Sequence, residues 1–206
     1  PIILGHECAG IWNGETNVAI DPAIPCGHCE FCQRGLQHVC PDGKFLGGSE
    51  KGALVEWVAL PEHCLYPLPA SLNLLDGVML EPLGVALHAI SLAPILPGQT
   101  VGVFGCGPIG LLIIQLAQLA GAYKIFATDK LPHRLEAARH YGASATFLAD
   151  GHETATILSQ VQGRGLDITF EAAGDDKAVA AAVHTCVPGG TIVTVRSEEH
   201  TSELQS

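Results

Sequence analysis

The chain has 206 residues, 48% of them hydrophobic and only 15% charged, with 24 glycines and 13 prolines. Such a composition excludes intrinsic disorder, which needs low hydrophobicity and high charge, and the length is enough to bury one or two cores. Ten Lys and Arg stand against 21 Asp and Glu, a net charge of −11 that excludes phosphate-backbone binding as a main role, so nucleic acid is not expected as a partner.

In chain order, residues 1 to about 70 read as short strands and loops punctuated by Pro and Gly, with strand candidates at 17–20, 53–60 and 64–68. Residues 81–92 suit a helix, and Pro94-Ile95-Leu96-Pro97-Gly98 looks like a joint. Strand and helix then alternate: strand 100–104, helix 108–120, strand 124–128, helix 132–141, strand 145–148, helix 153–162, strand 166–171, helix 175–186 and strand 191–195. This alternation predicts an α/β fold, a doubly wound parallel sheet with right-handed crossovers. Between Glu81 and Lys124 no Asp, Glu, Lys or Arg occurs, but Pro94, Pro97, Gly98, Gly102 and Gly105 break the apolar run, so a membrane span is not expected. The expected organisation is a mainly β unit over 1–94, an α/β unit over 95–195 and a tail over 196–206.

Both ends look cut. Pro1 is not a translation start, and the chain opens on the apolar Ile2-Ile3-Leu4. The segment RSEEHTSELQS follows the apolar Thr191–Val195 with no turn residue between and has no apolar face, and all eleven of its residues read as the in-frame translation of a common sequencing adapter. It is expected to be an artefact.

The α/β half opens on TVGVFGCGPIG, which places Gly105, Gly107 and Gly110 between an apolar strand and a helix. The three glycines of a dinucleotide-binding turn serve a tight bend, a close approach of backbone to pyrophosphate, and helix-to-strand packing. Pro108 suits a first helical position, and the N–H groups of the following turn, from Ile109 and Gly110 onward, face the phosphates. Asp129 ends the next strand, nineteen residues beyond Gly110, where a carboxylate accepts ribose hydroxyls and repels a 2′-phosphate. NAD is therefore expected rather than NADP, although Lys130 and Arg134 are cations that could accommodate the extra phosphate. Cys106 inside the loop reads as a small apolar residue; the alternative is a thiol whose ionisation and oxidation the helix N-terminus eases.

Of eight cysteines, Cys26, Cys29, Cys32 and Cys40 crowd into fifteen residues as C-x2-C-x2-C-x7-C. A secreted disulfide scaffold would be shorter and carry a signal peptide. A tight cluster in a reducing compartment, here expected to be the cytoplasm, reads as metal binding. Four thiolates complete a tetrahedral zinc shell and leave no open position, the mark of a structural site. A ferredoxin-type iron–sulfur run has three residues before its last cysteine, where this one has seven, so zinc is favoured. His28 and His38 in the same loop are expected to face solvent.

His6-Glu7 alone carries little weight, and Glu81 alone would read as a helix N-terminal carboxylate favoured by the dipole. Together with their company they carry more. GHECAG, DPAIPCGHCEFC, ALPEHCLYPLP, EPLG and VFGCGPIG occur in that order, and on these motifs the chain resembles the zinc-dependent medium-chain dehydrogenase/reductases, specifically the sorbitol and threonine dehydrogenase branch, over residues 3–195. The resemblance implies a GroES-like catalytic domain, in part, over 1–94 and an incomplete Rossmann domain over 95–195. It implies a catalytic zinc held by an upstream cysteine, His6 and Glu7, with Glu81 as a further ligand or hydrogen-bonded to the zinc water. The alcohol branch has cysteine in the place of Glu81, which points to polyols or threonine. The implied chemistry is Lewis-acid activation of a hydroxyl by zinc and hydride transfer to NAD, with a small alcohol as substrate and a homodimer or homotetramer as the assembly. Because the first cysteine and its proton relay lie outside the sequence, the chain by itself is expected to be inactive. A zinc-free NADPH quinone reductase of the same superfamily would lack the quartet, and a non-catalytic zinc-stabilised dinucleotide sensor would keep the fold and cofactor without turnover.

Overall fold

A computed structural model describes residues 2–195; Pro1 and the expected artefactual tail 196–206 lie outside the described residues. The chain divides into two compact units, Pro1–Leu83 and Gly84–Ser206.

The first unit is built on short strands. β1 (Ala9–Trp12) and β2 (Thr16–Ile20) form a hairpin with Trp12 opposite Thr16, and β5 (Leu65–Pro67) pairs antiparallel with β2 on its other side. Asn13 and Gly14 both take positive φ at the hairpin turn, the backbone that matches the right-handed twist of paired strands. β3 (Ala23–Ile24) pairs with β4 (Lys44–Phe45), and between them lies the cysteine loop with the one-turn α1 (Glu30–Gln33). Two expectations fail here. Residues 53–60 form no strand: backbone N–H groups of Gly52, Ala53 and Leu54 bond to carbonyls of Ile3, Gly5 and Leu4, but beyond them Leu54 and Trp57 are exposed by 75% and 89%. In addition, α2 (Leu74–Val78) appears where no helix was expected, closed by a reciprocal capping box in which Asn73 and Asp76 each accept a backbone N–H of the other.

The second unit carries β6 (Thr100–Phe104), α4 (Pro108–Leu119), β7 (Lys124–Asp129), α5 (Pro132–His140), β8 (Ala145–Leu148), α6 (Glu153–Gln160), β9 (Leu166–Glu171), α7 (Asp176–Thr185) and β10 (Cys186–Thr194). The five strands are parallel in the order β10-β9-β6-β7-β8, as the alternation predicts. β10 starts five residues earlier than expected, because Cys186 pairs with Leu166 before a bulge restores pairing at Thr191. Side chains of the central strands alternate between two cores: Val101, Val103, Ile125 and Ala127 enter one with α4 and α5, while Phe104 and Phe126 enter the other with Ile157 of α6 and Ala181 and Ala182 of α7. α3 (Leu80–Leu92) runs through the division between the units, which falls at Leu83 rather than at the joint after residue 94. The physical reason is its buried Ala86 and Ala89, which with Ala93 just beyond the helix belong to the core of the second unit. No described helix is long and apolar enough to cross a membrane.

Candidate metal centres and dinucleotide cleft

The four sulfurs of Cys26, Cys29, Cys32 and Cys40 all lie within 4.8 Å of one another. Sγ of Cys26 is 4.0 Å from that of Cys32, and Sγ of Cys29 is 3.8 Å from that of Cys40. A zinc–sulfur distance of about 2.3 Å in a tetrahedron sets sulfurs about 3.8 Å apart, so the quartet already has the dimensions of a zinc shell. Backbone amides point inward: Cys29 N–H donates to Sγ of Cys26 and Cys26 N–H to Sγ of Cys40, each at 3.4 Å, and Cys32 N–H donates to Sγ of Cys29 at 3.5 Å. Amides of His28 and Cys29 lower the Cys26 thiol to about 6, while burial pushes Cys32 up to about 12. His28 and His38 are exposed, as expected, and His28 turns Nδ1 to the carbonyl of Cys26.

The second donor group brings together one ligand atom each from His6, Glu7 and Glu81, again within 4.8 Å. Two glycines that the sequence reading overlooked set this geometry. A Cβ on Gly52 would lie 2.3 Å from the carbonyl oxygen of Leu4, and one on Gly47, at φ +77°, would lie 2.8 Å from that of Gly5. Only bare backbone lets residues 46–52 press against residues 4–5, and this contact sets His6 and Glu7 in place. The His6 ring lies 5.3 Å from the Phe45 ring. Glu81 arrives in the first turn of α3. Burial raises its carboxyl above the usual range, and the charges of Glu7 and Asp21 add to this while His6 opposes it. A cation among the three donors would relieve that repulsion, so their chemistry fits a metal.

In the second unit a cleft of about 680 Å³ opens at the carboxyl ends of β6, β7 and β9, lined among others by Gly105, Gly107, Asp129, Lys130, Arg134 and Asp175. It lies where the chain order reverses between β6 and β9, the usual ligand position in an open α/β sheet. Each glycine shows its reason. Gly105 has φ +104°, and a Cβ there would lie 2.7 Å from the amide nitrogen of Ala173. On Gly110 a Cβ would meet the carbonyl oxygen of Gly105 at 1.9 Å. Gly107 is the N-cap of α4 with φ −71°, and a Cβ there would find only Nη1 of Arg134, at 4.0 Å. The first two glycines are thus bare for the fold, whereas Gly107 is bare towards the cleft. Pro108 takes the first helical position, and the Ile109 side chain packs on the core, leaving its N–H at the open helix end.

Asp129 is buried and held on both oxygens: Oδ2 accepts the Cys106 N–H and Oδ1 the Leu131 N–H, each at 2.8 Å, with Arg134 Nη1 3.7 Å from Oδ2. Cys106 sits in the core as the small apolar residue expected, and it is the alternative of an eased ionisation that is overturned. Its thiol is fully buried and donates to the Thr128 carbonyl; burial, reinforced by the Asp129 charge, pushes it up to about 12. Helix-end activation does not reach a sulfur turned into the core.

A sheet wound around a glycine turn, with a cysteine quartet and a second three-donor group elsewhere in the chain, defines a metal-dependent, dinucleotide-linked class of protein. Residues 1–70 match the alcohol dehydrogenase GroES-like domain and residues 108–205 the zinc-binding dehydrogenase family. The chain belongs to the zinc-dependent medium-chain dehydrogenases. A protein of Emericella nidulans named "Probable D-xylulose reductase A" is 40% identical over 209 residues, spanning 94% of this chain and 58% of that protein. Galactitol-1-phosphate dehydrogenase from Escherichia coli superposes with a TM-score of 0.85 at 30% identity, over 97% of this chain and 61% of the other. A Sinorhizobium meliloti 1021 protein solved with NADP bound superposes with a TM-score of 0.84 at 30% identity, over 95% of this chain and 61% of the other. The chain spans less than two thirds of each of these relatives.

Proposed function

We propose that this protein is a zinc-dependent polyol dehydrogenase that oxidises a secondary alcohol of a sugar alcohol to the ketone and reduces NAD. The observation that carries this reading is the convergence of His6, Glu7 and Glu81, a donor set with a carboxylate where a thiolate would suit simple alcohols. Names among the relatives, a D-xylulose reductase and a galactitol-1-phosphate dehydrogenase, support the same substrate class.

In this reading His6, Glu7 and Glu81 hold the catalytic ion, and Cys26, Cys29, Cys32 and Cys40 hold a second ion that staples their loop. Bound zinc supplies a Lewis acid for the substrate hydroxyl, and the nicotinamide supplies the hydride acceptor. The chain contributes position and field. Gly107 gives the pyrophosphate its approach, and the amides that open α4 meet its charge. Asp129, fixed by two backbone amides, presents its remaining lone pairs to the ribose hydroxyls and disfavours a 2′-phosphate, which selects NAD. A homo-oligomer is the assembly proposed with this activity.

The test is steady-state kinetics of the whole zinc-loaded protein on a panel of xylitol and related polyols, threonine and primary alcohols, each with NAD and NADP. The highest kcat/KM is expected for a polyol with NAD; preference for threonine or a primary alcohol overturns the substrate class.

A further inference from the structure

Asp129 is flanked by two cations that line the same cleft, Lys130 directly after β7 and Arg134 in α5. Each already faces a carboxylate. Arg134 lies beside Asp129 itself, whereas the Lys130 ammonium reaches across the cleft to Asp175, with Nζ 2.5 Å from Oδ2. Asp175 stands 45 residues further along the chain, at the N-cap of α7. Its two oxygens do different work: Oδ1 accepts the Lys177 N–H at 2.8 Å and caps the helix, while Oδ2 is left to hold the lysine.

A 2′-phosphate brings a charge of about −1.5 to −2 and needs a cation free to meet it. The cleft is also lined by Asp150, Glu153 and Lys177, but the two cations nearest Asp129 are each matched by a carboxylate, Arg134 by Asp129 and Lys130 by Asp175. Lys130 directly follows Asp129 in the chain, and its long side chain is 62% exposed, so its position is set by its partner rather than by packing. We infer that Asp175 is a specificity-determining residue: by holding Lys130 it withholds the cation that a 2′-phosphate would take, so selection of NAD over NADP is shared between Asp129 and Asp175. The reciprocal perturbation agrees, since the pair raises the lysine and lowers the carboxyl from their ordinary values. The inference rests on the cleft being the dinucleotide site.

Asp175→Asn isolates the charge, because Asn caps a helix as well as Asp does. Dissociation constants of NAD and NADP are measured by calorimetric titration on the full 206-residue chain. D175N is expected to raise the NADP-to-NAD affinity ratio about tenfold, as a freed ammonium gains a charge-assisted hydrogen bond to phosphate. Adding Lys130→Met to D175N is expected to return the ratio to the wild-type value. Lys130→Met alone leaves the cap intact, uncovers the Asp175 charge and is expected to lower the ratio about threefold, which tests the idea even if D175N folds poorly. An unchanged ratio in D175N or in K130M, or a rise in D175N that survives K130M, overturns the inference alone. Failure of the wild-type chain to bind either nucleotide overturns the dinucleotide reading and the inference with it.

Discussion

Gly107 and Gly110 stand three residues apart in one turn, yet the structure gives them opposite consequences on mutation. A Cβ on Gly110 would lie 1.9 Å from the carbonyl oxygen of Gly105, more than an ångström inside a normal contact and against backbone rather than a flexible side chain. Relief requires α4 to move off the sheet or Gly105 to leave its +104° φ. Overpacking of this kind costs about 1–3 kcal/mol or more, against about 1 kcal/mol gained from alanine's helix propensity, so Gly110→Ala is expected to lose about 2 kcal/mol. Gly107→Ala meets nothing closer than 4.0 Å, and at φ −71° alanine is unstrained, so its stability is expected to stay within about 1 kcal/mol of wild type. Its methyl group would instead occupy the surface that the pyrophosphate approaches, weakening NAD binding by about tenfold or more. Urea denaturation and nucleotide titration on both variants separate the effects. If Gly110→Ala is as stable as wild type, or Gly107→Ala binds NAD undiminished, the assignment of the two glycines is wrong.

Three further outcomes follow from other parts of the structure. Cys29→Ser is expected to lose the zinc of the quartet in metal analysis and to destabilise the first unit by about 3 kcal/mol; unchanged zinc content would show that the quartet is not a metal site. Asp167 accepts the N–H and hydroxyl of Thr100, each at 2.8 Å, together with Arg164; burial opposes ionisation but these bonds outweigh it and lower the carboxyl. Its stabilisation is therefore complete above the unfolded carboxyl value of about 3.9 and lost as pH falls through the folded value, and Asp167→Asn should flatten the acid limb of stability against pH. Glu171 is fully buried, with Oε1 accepting the N–H groups of Ala173 and Gly174 while Oε2 has no hydrogen-bond partner among the described residues. Glu171→Gln keeps the accepting oxygen and should unfold within about 1 kcal/mol of wild type, whereas Glu171→Ala strands both amides and should lose about 2–4 kcal/mol.

Most of the second unit was legible because its signals are local. Apolar runs bounded by Gly and Pro place β6, β8 and β9 to the residue, and the glycine turn and Asp129 line the cleft of the second unit. The quartet was legible for the same reason, four cysteines in one short loop. What the sequence hid depends on distance along the chain. Glu81 looks like any helix-start carboxylate until the fold sets it beside His6 and Glu7, and only family resemblance singled it out. The Lys130–Asp175 pair leaves no local pattern at all. Apolar content misled at residues 53–60, where a strand needs a partner that the described residues do not supply. α2, by contrast, carried a readable signal in Asn73 and Asp76, the spacing of a capping box.

The proposed reaction is hydride transfer from a polyol carbon to NAD. Xylitol deuterated at its secondary carbons, supplied with NAD to the whole zinc-loaded protein, tests it by mass spectrometry of the reduced nucleotide. Deuterium is expected on the nicotinamide ring, and its loss when Glu81 is replaced by alanine. Zinc and NAD bound in full with no labelled product from any polyol would contradict it and leave a dinucleotide-binding protein without turnover.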